Sequence, residues 1–210
     1  MGRIVTVAQQ KGGSGKTTLT ANLAVAARAR GLSVAVIDTD PQGSLGRWFM
    51  ERLGARGEDE GFDFATASAW GAAYEAEKVA RRADLVLIDT PPKIDADLRP
   101  ALRAASLVLV PVATSQVDLW ATEGVLDLAR RERRPCLIVL NRSRPGTRLA
   151  AEIAAAAGSL GALVARTRIG NRVAYAETMG RGMAVADGGA GPAGGEVEEL
   201  LDEVLAAAEG

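Results

Sequence analysis

The segment from Gln10 to Thr18 reads Gln-Lys-Gly-Gly-Ser-Gly-Lys-Thr-Thr and combines cations, hydroxyls and glycines at short spacing. Glycines lack a Cβ, so their backbone N–H groups can turn toward phosphate oxygens. Lys16 is spaced to reach β- and γ-phosphates, and the Thr17 hydroxyl is spaced to bind Mg²⁺. We therefore predict a nucleoside triphosphate site. Its binding residues are Gly12, Gly13, Ser14, Gly15, Lys16, Thr17 and Thr18.

The segments on either side of this loop have the composition of a strand and a helix. Residues 3–9 are mostly apolar and β-branched, as in a buried parallel strand, and residues 19–30 contain neither glycine nor proline. The loop is therefore predicted to open a helix whose N-terminus faces an anion. A glycine turn without a ligand would not explain Lys16 and Thr17 at the required spacing.

Lys11 is a second lysine, placed at the start of the loop. A lysine at that position is expected to point away from the γ-phosphate bound by its own chain. Its stem is long enough to reach a phosphate in a facing subunit, where it would act as an arginine finger does. We predict a catalytic role in trans for Lys11; the alternative is a surface lysine surrounded by water.

Three carboxylates follow apolar strands. Asp38 and Asp40 lie at the end of the strand at 33–38, and Asp89 ends the strand at 84–89. Ligands of open α/β sheets collect at the carboxyl ends of strands. One carboxylate of the first pair can hold a Mg²⁺-bound water while the other orients the attacking water, although Asp40-Pro-Gln-Gly is also a turn signal. Asp89 is predicted to complete the metal shell with Thr17.

Asn141 ends another apolar strand, which begins at Cys136. Its amide offers a donor and an acceptor that suit an adenine edge. Asparagine is also common in loops, so a role in the turn alone stays open.

Three segments resemble motifs of the ParA/MinD ATPases. Residues 11–18 are similar to the deviant Walker A loop of that family, residues 34–44 to its second motif, and residues 84–92 to its Walker B strand. The likeness runs in order through Val185. Ser14 and Ser44 depart from the residues common there, without removing a group that the chemistry needs.

The resemblance implies roles for several of these residues. Asp40 would orient the attacking water, Asp38 would hold the metal-bound water, and Asn141 would contact adenine. It further implies ATP and Mg²⁺ as cofactors and a homodimer that forms when ATP is bound.

Strand and helix patterns alternate along the whole chain. This predicts a doubly wound α/β fold, a mostly parallel sheet with helices on both faces, in a single ATPase domain at 1–210. The predicted strands are 3–9, 33–38, 62–66, 84–89, 106–110, 136–141 and 162–166. The predicted helices are 16–30, 43–53, 69–82, 97–104, 117–133, 148–157, 171–179 and 195–208.

Charge is unevenly distributed, although the total is only −1. Residues 130–181 hold eleven arginines and three glutamates, a net charge of +8, whereas residues 182–210 hold seven carboxylates and no basic residue. Such a basic segment can bind the phosphates of DNA. The alternative is that its arginines pair with the acidic tail. The predicted DNA contacts are Arg142, Arg144, Arg148, Arg166, Arg168 and Arg172.

Some functional classes are excluded by composition. The chain has no histidine and one cysteine, Cys136, which excludes imidazole bases, histidine metal sites, internal disulfides and iron–sulfur clusters held by paired cysteines. No apolar run approaches the length of about 18 residues that a membrane helix needs. The first strand starts near residue 3, so we expect no signal peptide and a cytoplasmic location.

Two functions remain compatible with the sequence. The first is a ParA-like switch ATPase that binds non-specific double-stranded DNA on the nucleoid and positions a cargo, slow until a ParB-like or cargo-adaptor protein stimulates it. Membrane binding is not expected, because the C-terminal segment 196–205 is amphipathic but acidic. The second is a biosynthetic ATPase resembling dethiobiotin synthetase, which activates a small carboxylate. The segment Asp40-Pro-Gln-Gly favours the first function.

Overall fold

The computed structural model describes residues 1–57, 61–93, 97–144, 146–189 and 191–209. The strands are β1 (Arg3–Val7), β2 (Val34–Asp38), β3 (Phe62–Thr66), β4 (Leu85–Asp89), β5 (Leu107–Ala113), β6 (Cys136–Ser143) and β7 (Leu163–Gly170). The helices are α1 (Lys16–Ala29), α2 (Ser44–Arg56), α3 (Ala72–Val79), α4 (Arg99–Ala104), α5 (Gln116–Arg131), α6 (Arg148–Gly158), α7 (Val173–Met179) and α8 (Pro192–Ala207). Short 3₁₀ turns precede α3 and follow α7, at Ala69–Gly71 and Val185–Gly188.

The strands form one sheet in the order β3-β2-β4-β1-β5-β6-β7, and neighbouring strands pair in parallel. The predicted α/β fold with a parallel sheet is confirmed. Since all seven strands point the same way, their carboxyl ends meet at one edge of the sheet. β1 lies in the centre, so the glycine-rich loop that follows it opens in the middle of that edge.

Alternating side chains bury both faces of the sheet. On β1, Val5 and Val7 pack into the cluster that contains α1 and α8, whereas Ile4 packs into the cluster that contains α3. Apolar residues of α5 and α6 cover the other half of the face on which α3 packs. Two-sided burial explains why the central strands are continuous apolar runs, and it holds their carboxyl ends in fixed positions.

β6 and β7 run farther than the sequence pattern predicted, to Ser143 and Gly170. The register between them shifts twice, between Ile138 and Leu140 and again between Leu140 and Ser143. The predicted strand 162–166 would place Arg166 at its end and Arg168 in the loop beyond, and this placement is wrong. Both are exposed residues within β7, alternating with buried neighbours as expected of an edge strand.

α8 is part of the core rather than a free amphipathic helix. Val197, Leu200, Leu201 and Val204 are fully buried against the sheet. On its polar side, Glu203 accepts hydrogen bonds from the backbone N–H groups of residues 166 and 167, both at 2.8 Å. Those amides lie where β7 carries two extra residues relative to β6, so they cannot form the regular hydrogen bonds between the two strands. The Glu203 carboxylate accepts hydrogen bonds from them instead.

In the described ranges, no helix has both the length and the apolar character needed to cross a membrane.

Candidate nucleotide site

The glycine-rich loop is built around two left-handed residues. Gly13 has φ 76° and Gly15 has φ 93°, a region that side chains with a Cβ rarely adopt. A Cβ added at Gly12 or Gly13 would meet nothing within 4 Å, whereas one at Gly15 would lie 2.2 Å from the Asn141 side chain. The loop is thus packed on its inner side and open on its outer side, as a cradle for a phosphate must be.

A cavity of about 540 Å³ lies over the loop. Its walls include Lys16, Thr17 and Thr18 from the start of α1, Asp40, and residues of α2. A smaller cavity of about 170 Å³ adjoins it at Gly15 and continues past Asn141 toward the end of β7. The two together provide a phosphate end and a base end, which fits a nucleotide.

Lys16 is the buried cation of the large cavity, with 6% of its surface exposed. Burial lowers the pKa of its ammonium group, while the charges of Asp89 and Asp40 act in the opposite direction. A phosphate beside this ammonium group would stabilise its charged form, because an opposite charge offsets the cost of burial.

Asp89 and Thr17 meet beneath the loop. The Thr17 hydroxyl donates to Oδ2 of Asp89 at 2.6 Å, and Oδ1 of Asp89 is buried with no hydrogen-bond partner among the described residues. Burial raises the pKa of Asp89 to about 7. A buried carboxylate oxygen without a partner fits a cation, so the residues present suit the predicted Mg²⁺. Thr17, Asp38 and Asp89 would hold the ion, which when bound would supply positive charge to neutralise phosphate oxygens.

Asp38 pairs in register with Asp89 on the neighbouring strand. Its Oδ1 accepts from the backbone N–H of Asp40 at 3.0 Å, and its Oδ2 accepts from that of Gly46 at 2.9 Å. Burial is the largest cause of its raised pKa, opposed by these bonds. Asp38 therefore ties β2 to the first turn of α2.

Asp40 fits both interpretations that the sequence left open. Its Oδ1 accepts from the backbone N–H of Gln42 at 2.9 Å, which is the predicted turn. The residue also lines the large cavity beside Lys16 and Thr17, where a water-orienting carboxylate would have to lie. The catalytic role stays a prediction.

Asn141 braces the loop. Its Nδ2 donates to the Ser14 carbonyl at 2.7 Å, and its Oδ1 accepts from the backbone N–H of Arg142 at 2.9 Å. Asn141 also lines the smaller cavity, so the predicted adenine contact remains compatible with its position. The bracing contact explains why Gly15 has no room for a Cβ.

Lys11 does not line the cavity formed by its own loop. Its Nζ lies 2.6 Å from Oδ2 of Asp118, a carboxylate whose side chain is only 5% exposed. The Ser115 hydroxyl donates to the same Oδ2, and the backbone N–H of Asp118 donates to the Ser115 hydroxyl at 3.2 Å. Lys11 is thus held at the first turn of α5, away from the phosphate end of the site.

Three residues near the site were missed by sequence reasoning. In the sequence, Asp118 is recognisable only as part of a helix cap with Ser115. Its contact with Lys11 was missed because the two residues are 107 positions apart. Arg47 and Arg142 both line the large cavity. Arg142 was predicted as a DNA contact. Arg142 has a left-handed backbone (φ 51°) at the second register shift between β6 and β7. No sequence motif predicts this local irregularity.

All six arginines predicted to contact DNA are exposed. Arg172 forms an ion pair with Glu196 at 2.6 Å, and Arg148 pairs with Glu152 at 2.6 Å. The alternative to DNA binding, pairing with the acidic tail, thus holds for Arg172 and, at 3.9 Å, more loosely for Arg166 with Glu203. Arg142, Arg144 and Arg168 form no ion pair with any described residue. Arg142 and Arg144 flank Ser143, which pairs with Gly170 at the end of β7, so these three arginines lie near one corner of the sheet.

Comparisons with known proteins agree with this site. Residues 5–185 match the CobQ/CobB/MinD/ParA nucleotide binding domain. The chain is 28% identical over 207 residues to the maintenance of carboxysome distribution protein A (McdA) of Halothiobacillus neapolitanus, covering 95% of this chain and 94% of that protein. It is 36% identical over 155 residues to the chromosome-partitioning ATPase Soj of Thermus thermophilus, covering 60% of this chain and 59% of Soj.

A solved structure shows the same fold. The septum site-determining protein MinD of Pyrococcus horikoshii, complexed with Mg-ADP, superposes with a TM-score of 0.81 at 19% identity and covers 97% of this chain and 96% of its own. ATPases of this family use ATP and Mg²⁺, the cofactors that the motifs predicted. From its motifs, its fold and the extent of the match, the chain belongs to the CobQ/CobB/MinD/ParA nucleotide-binding domain family.

Proposed function

We propose that the protein is a nucleotide-gated switch. ATP brings two copies together, the dimer binds DNA without sequence preference, and hydrolysis of ATP to ADP and phosphate releases it. Hydrolysis is slow until a partner protein bound to the cargo accelerates it. Cycles of binding and release on the nucleoid, in the cytoplasm, would then position that cargo.

The position of Lys11 is the observation that carries the proposal. A lysine that served its own phosphate site would line the cavity, as Lys16 does. Lys11 is instead paired with Asp118, outside the lining of that cavity. The pair is half-exposed on the lysine side, so a facing phosphate with more charge than one carboxylate can compete for it. This supports a role for Lys11 across a dimer interface.

The exposed arginines at the ends of β6 and β7 support the DNA-binding step. The side chains of Arg142, Arg144 and Arg168 are exposed near one corner of the sheet and form no ion pair with any described residue, so their charge is available to phosphates. Each copy alone would engage two or three phosphates, which is weak at cellular salt. Two copies presented by one dimer would double that number, which links DNA affinity to ATP.

We further propose a protein assembly as the cargo. The match to H. neapolitanus McdA extends over 94% of that protein, whereas the match to Soj covers 59% of Soj. The partner would be the adaptor that connects this ATPase to the assembly. Identifying a protein that raises phosphate release, encoded beside this chain, would name the adaptor.

The decisive experiment measures DNA retention and phosphate release in parallel. We expect the protein with ATP and Mg²⁺ to bind random-sequence duplex DNA as a dimer, and the protein with ADP to stay a monomer that binds DNA at least about tenfold more weakly. The Lys11→Ala variant serves as a matched control, since it should bind nucleotide without gaining DNA affinity.

The same assay separates the switch from a biosynthetic enzyme. Suppose that small mono- and dicarboxylates accelerate phosphate release, and that the protein neither binds DNA nor forms ATP-dependent dimers. The carboxylate-activating function resembling dethiobiotin synthetase then replaces the proposal. Equal DNA affinity with ADP and ATP would also overturn nucleotide gating.

A further inference from the structure

Arg47 is an arginine in the nucleotide site that none of the three sequence motifs contains. It lies in the first turn of α2, three residues beyond the segment that resembles the second family motif. Its neighbour Trp48 is buried in the core, whereas Arg47 is exposed and lines the large cavity together with Lys16, Thr17 and Asp40. The residue therefore shares a wall with the groups expected to meet the phosphates.

A series of contacts fixes the position of this turn relative to the metal site. The backbone N–H of Gly46 donates to Asp38 at 2.9 Å, and Arg47 is the next residue. Asp38 pairs in register with Asp89, on strands about 4.8 Å apart, and Asp89 accepts from Thr17 at 2.6 Å. The backbone N–H of Arg47 donates to Gly43 at 2.9 Å, so the helix start is itself closed.

The charge of Arg47 is not used inside the molecule as described. No ion pair joins its guanidinium to any carboxylate of the described residues, and Glu51, one turn later on α2, lines the same cavity without pairing with it. Other arginines of α2 differ: Arg52 and Arg56 both pair with Asp187, at 2.8 Å and 2.6 Å. Arg47 thus has a fixed backbone position, lines an open cavity and carries a charge that no carboxylate of the described residues neutralises.

We propose that Arg47 binds an oxygen of the ATP γ-phosphate within the same protomer and stabilises the charge that develops during its transfer to water. This deepens the proposed function and rests on it. In the reaction, a water oxygen forms a bond to the γ-phosphorus while the bond to the bridging oxygen of ADP breaks. The electron pair leaves with ADP, and the proton of the water passes to the released phosphate. A planar guanidinium is suited to phosphate oxygens at that stage, because it offers parallel donors.

Arg47 acts from the cavity of its own chain, whereas Lys11 acts from the facing copy. Loss of Arg47 should therefore impair the chemical step and leave ATP-dependent dimers and their DNA binding in place. Loss of Lys11 should remove both. This difference separates a catalytic arginine from a residue of the dimer interface.

The test compares Arg47→Ala, Arg47→Lys and Arg81→Ala. Arg81 is an exposed arginine at the opposite edge of the sheet, so it controls for the loss of one surface charge. Each protein is titrated with Mg²⁺-ADP alone and with Mg²⁺-ADP plus tetrafluoroaluminate, which mimics the planar phosphoryl group in transfer. Phosphate release from Mg²⁺-ATP is measured for the same proteins in a separate assay without tetrafluoroaluminate.

For Arg47→Ala we expect ADP affinity within about twofold of the parent, affinity for the tetrafluoroaluminate complex lowered at least about tenfold, and kcat lowered about 10- to 100-fold. Arg47→Lys should recover part of the loss, because it restores the charge without the planar donors. Arg81→Ala should match the parent. A lowered ADP affinity of equal size would assign Arg47 to ground-state binding or to local structure and overturn the proposal.

Failure of the inference is distinguishable from failure of the proposed function. If the parent hydrolyses ATP and Arg47→Ala equals it in kcat and in affinity for the tetrafluoroaluminate complex, the role of Arg47 alone is refuted. If the parent itself neither releases phosphate nor binds that complex, the ATPase function is refuted and the inference with it.

Discussion

Lys11 and Lys16 carry the same charge in the same loop, but their surroundings separate their roles. Lys16 is buried in the cavity, with a pKa lowered by that burial. Lys11 is half-buried at the edge and ion-paired to Asp118. A cation inside the cavity contributes to binding any nucleotide, whereas one outside it contributes only when a second molecule brings a phosphate within reach.

Replacing the two lysines should therefore have different effects. Lys16→Ala should abolish nucleotide binding, because the β- and γ-phosphates lose their main cation. Lys11→Ala should bind ADP within about twofold of the parent but form no ATP-dependent dimer and show no turnover. Nucleotide titration and light scattering measure both properties.

A control is needed, since Lys11→Ala leaves the buried carboxylate of Asp118 without its cation. The double variant Lys11→Ala/Asp118→Asn removes that charge and should behave like Lys11→Ala. If both lysine variants lost ADP affinity equally, Lys11 would belong to the site of its own chain.

Asp89 gives a prediction on pH. Burial raises its pKa to about 7 from an ordinary 3.8, so ionising this carboxyl in the native state costs stability. For a raised carboxyl pKa, that cost is absent at acid pH, grows between about pH 4 and about pH 7, and is constant above. Asp89→Asn, which keeps a group that Thr17 can donate to, should raise the melting temperature without nucleotide at about pH 8 more than at about pH 5.

The same variant should lose Mg²⁺-dependent nucleotide binding, because the amide carries no charge. Asp84→Asn is a suitable control, since Asp84 directly precedes the same strand β4 and its pKa is lowered by hydrogen bonds from Ser33. A stability gain of the same size at both pH values would mean that burial of the Asp89 charge is not the cause.

At the scale of elements, the sequence predicted most of the fold because local signals and tertiary context agree. The central strands are apolar runs that are buried on both faces, and the loop after β1 carries its own chemistry. Each of these signals lies within about ten neighbouring residues, which is the range that pattern reasoning covers. The seven strands and the intervening helices were therefore predicted in the right order, with errors of up to about four residues at their ends, the largest at the end of β7.

The parts that were not predicted depend on contacts between distant segments. β7 continues to Gly170 because Glu196 and Glu203 of α8 accept hydrogen bonds from its backbone. Nothing near Arg166 in the sequence signals those bonds. For the same reason the contact of Lys11 with Asp118 and the position of Arg47 in the cavity had to come from the structure. The positions of Asp38 and Asp89 beside each other, in contrast, were predictable from where their strands end.

For the molecule as a whole, the distribution of charge matters more than the total of −1. The acidic C-terminal segment lies against the body, where Glu198 and Asp202 pair with Arg30 and Glu196 pairs with Arg172. Most carboxylates of this segment are therefore paired with arginines of the same molecule. The arginines at the ends of β6 and β7 keep their charge on the surface, so the molecule has a positive corner despite its acidic pI.

This distribution predicts how salt controls DNA binding. The logarithm of the binding constant should fall with the logarithm of salt concentration at a slope of about −0.9 per phosphate engaged. Replacing Arg166 and Arg168 by glutamate should weaken binding to every sequence alike and flatten the slope, with ATP binding unchanged. Arg81 and Arg82, at the opposite edge of the sheet, provide a control pair for the same charge change.

Binding that does not respond to salt, or that is weakened equally by the control pair, would place the DNA surface elsewhere on the molecule.

The carboxylate of Glu203 also has a consequence for association between copies. β7 is an edge strand, and exposed edges with free amides invite pairing with strands of other molecules. Glu203 binds two amides in the irregular part of β7, and such an irregular edge is a poor template for another strand. The exposed arginines of β7 add like charges that repel an identical strand. The strand whose arginines we propose as DNA contacts is thereby protected from edge-to-edge aggregation. A protein that must become concentrated on a surface while staying reversible depends on such protection.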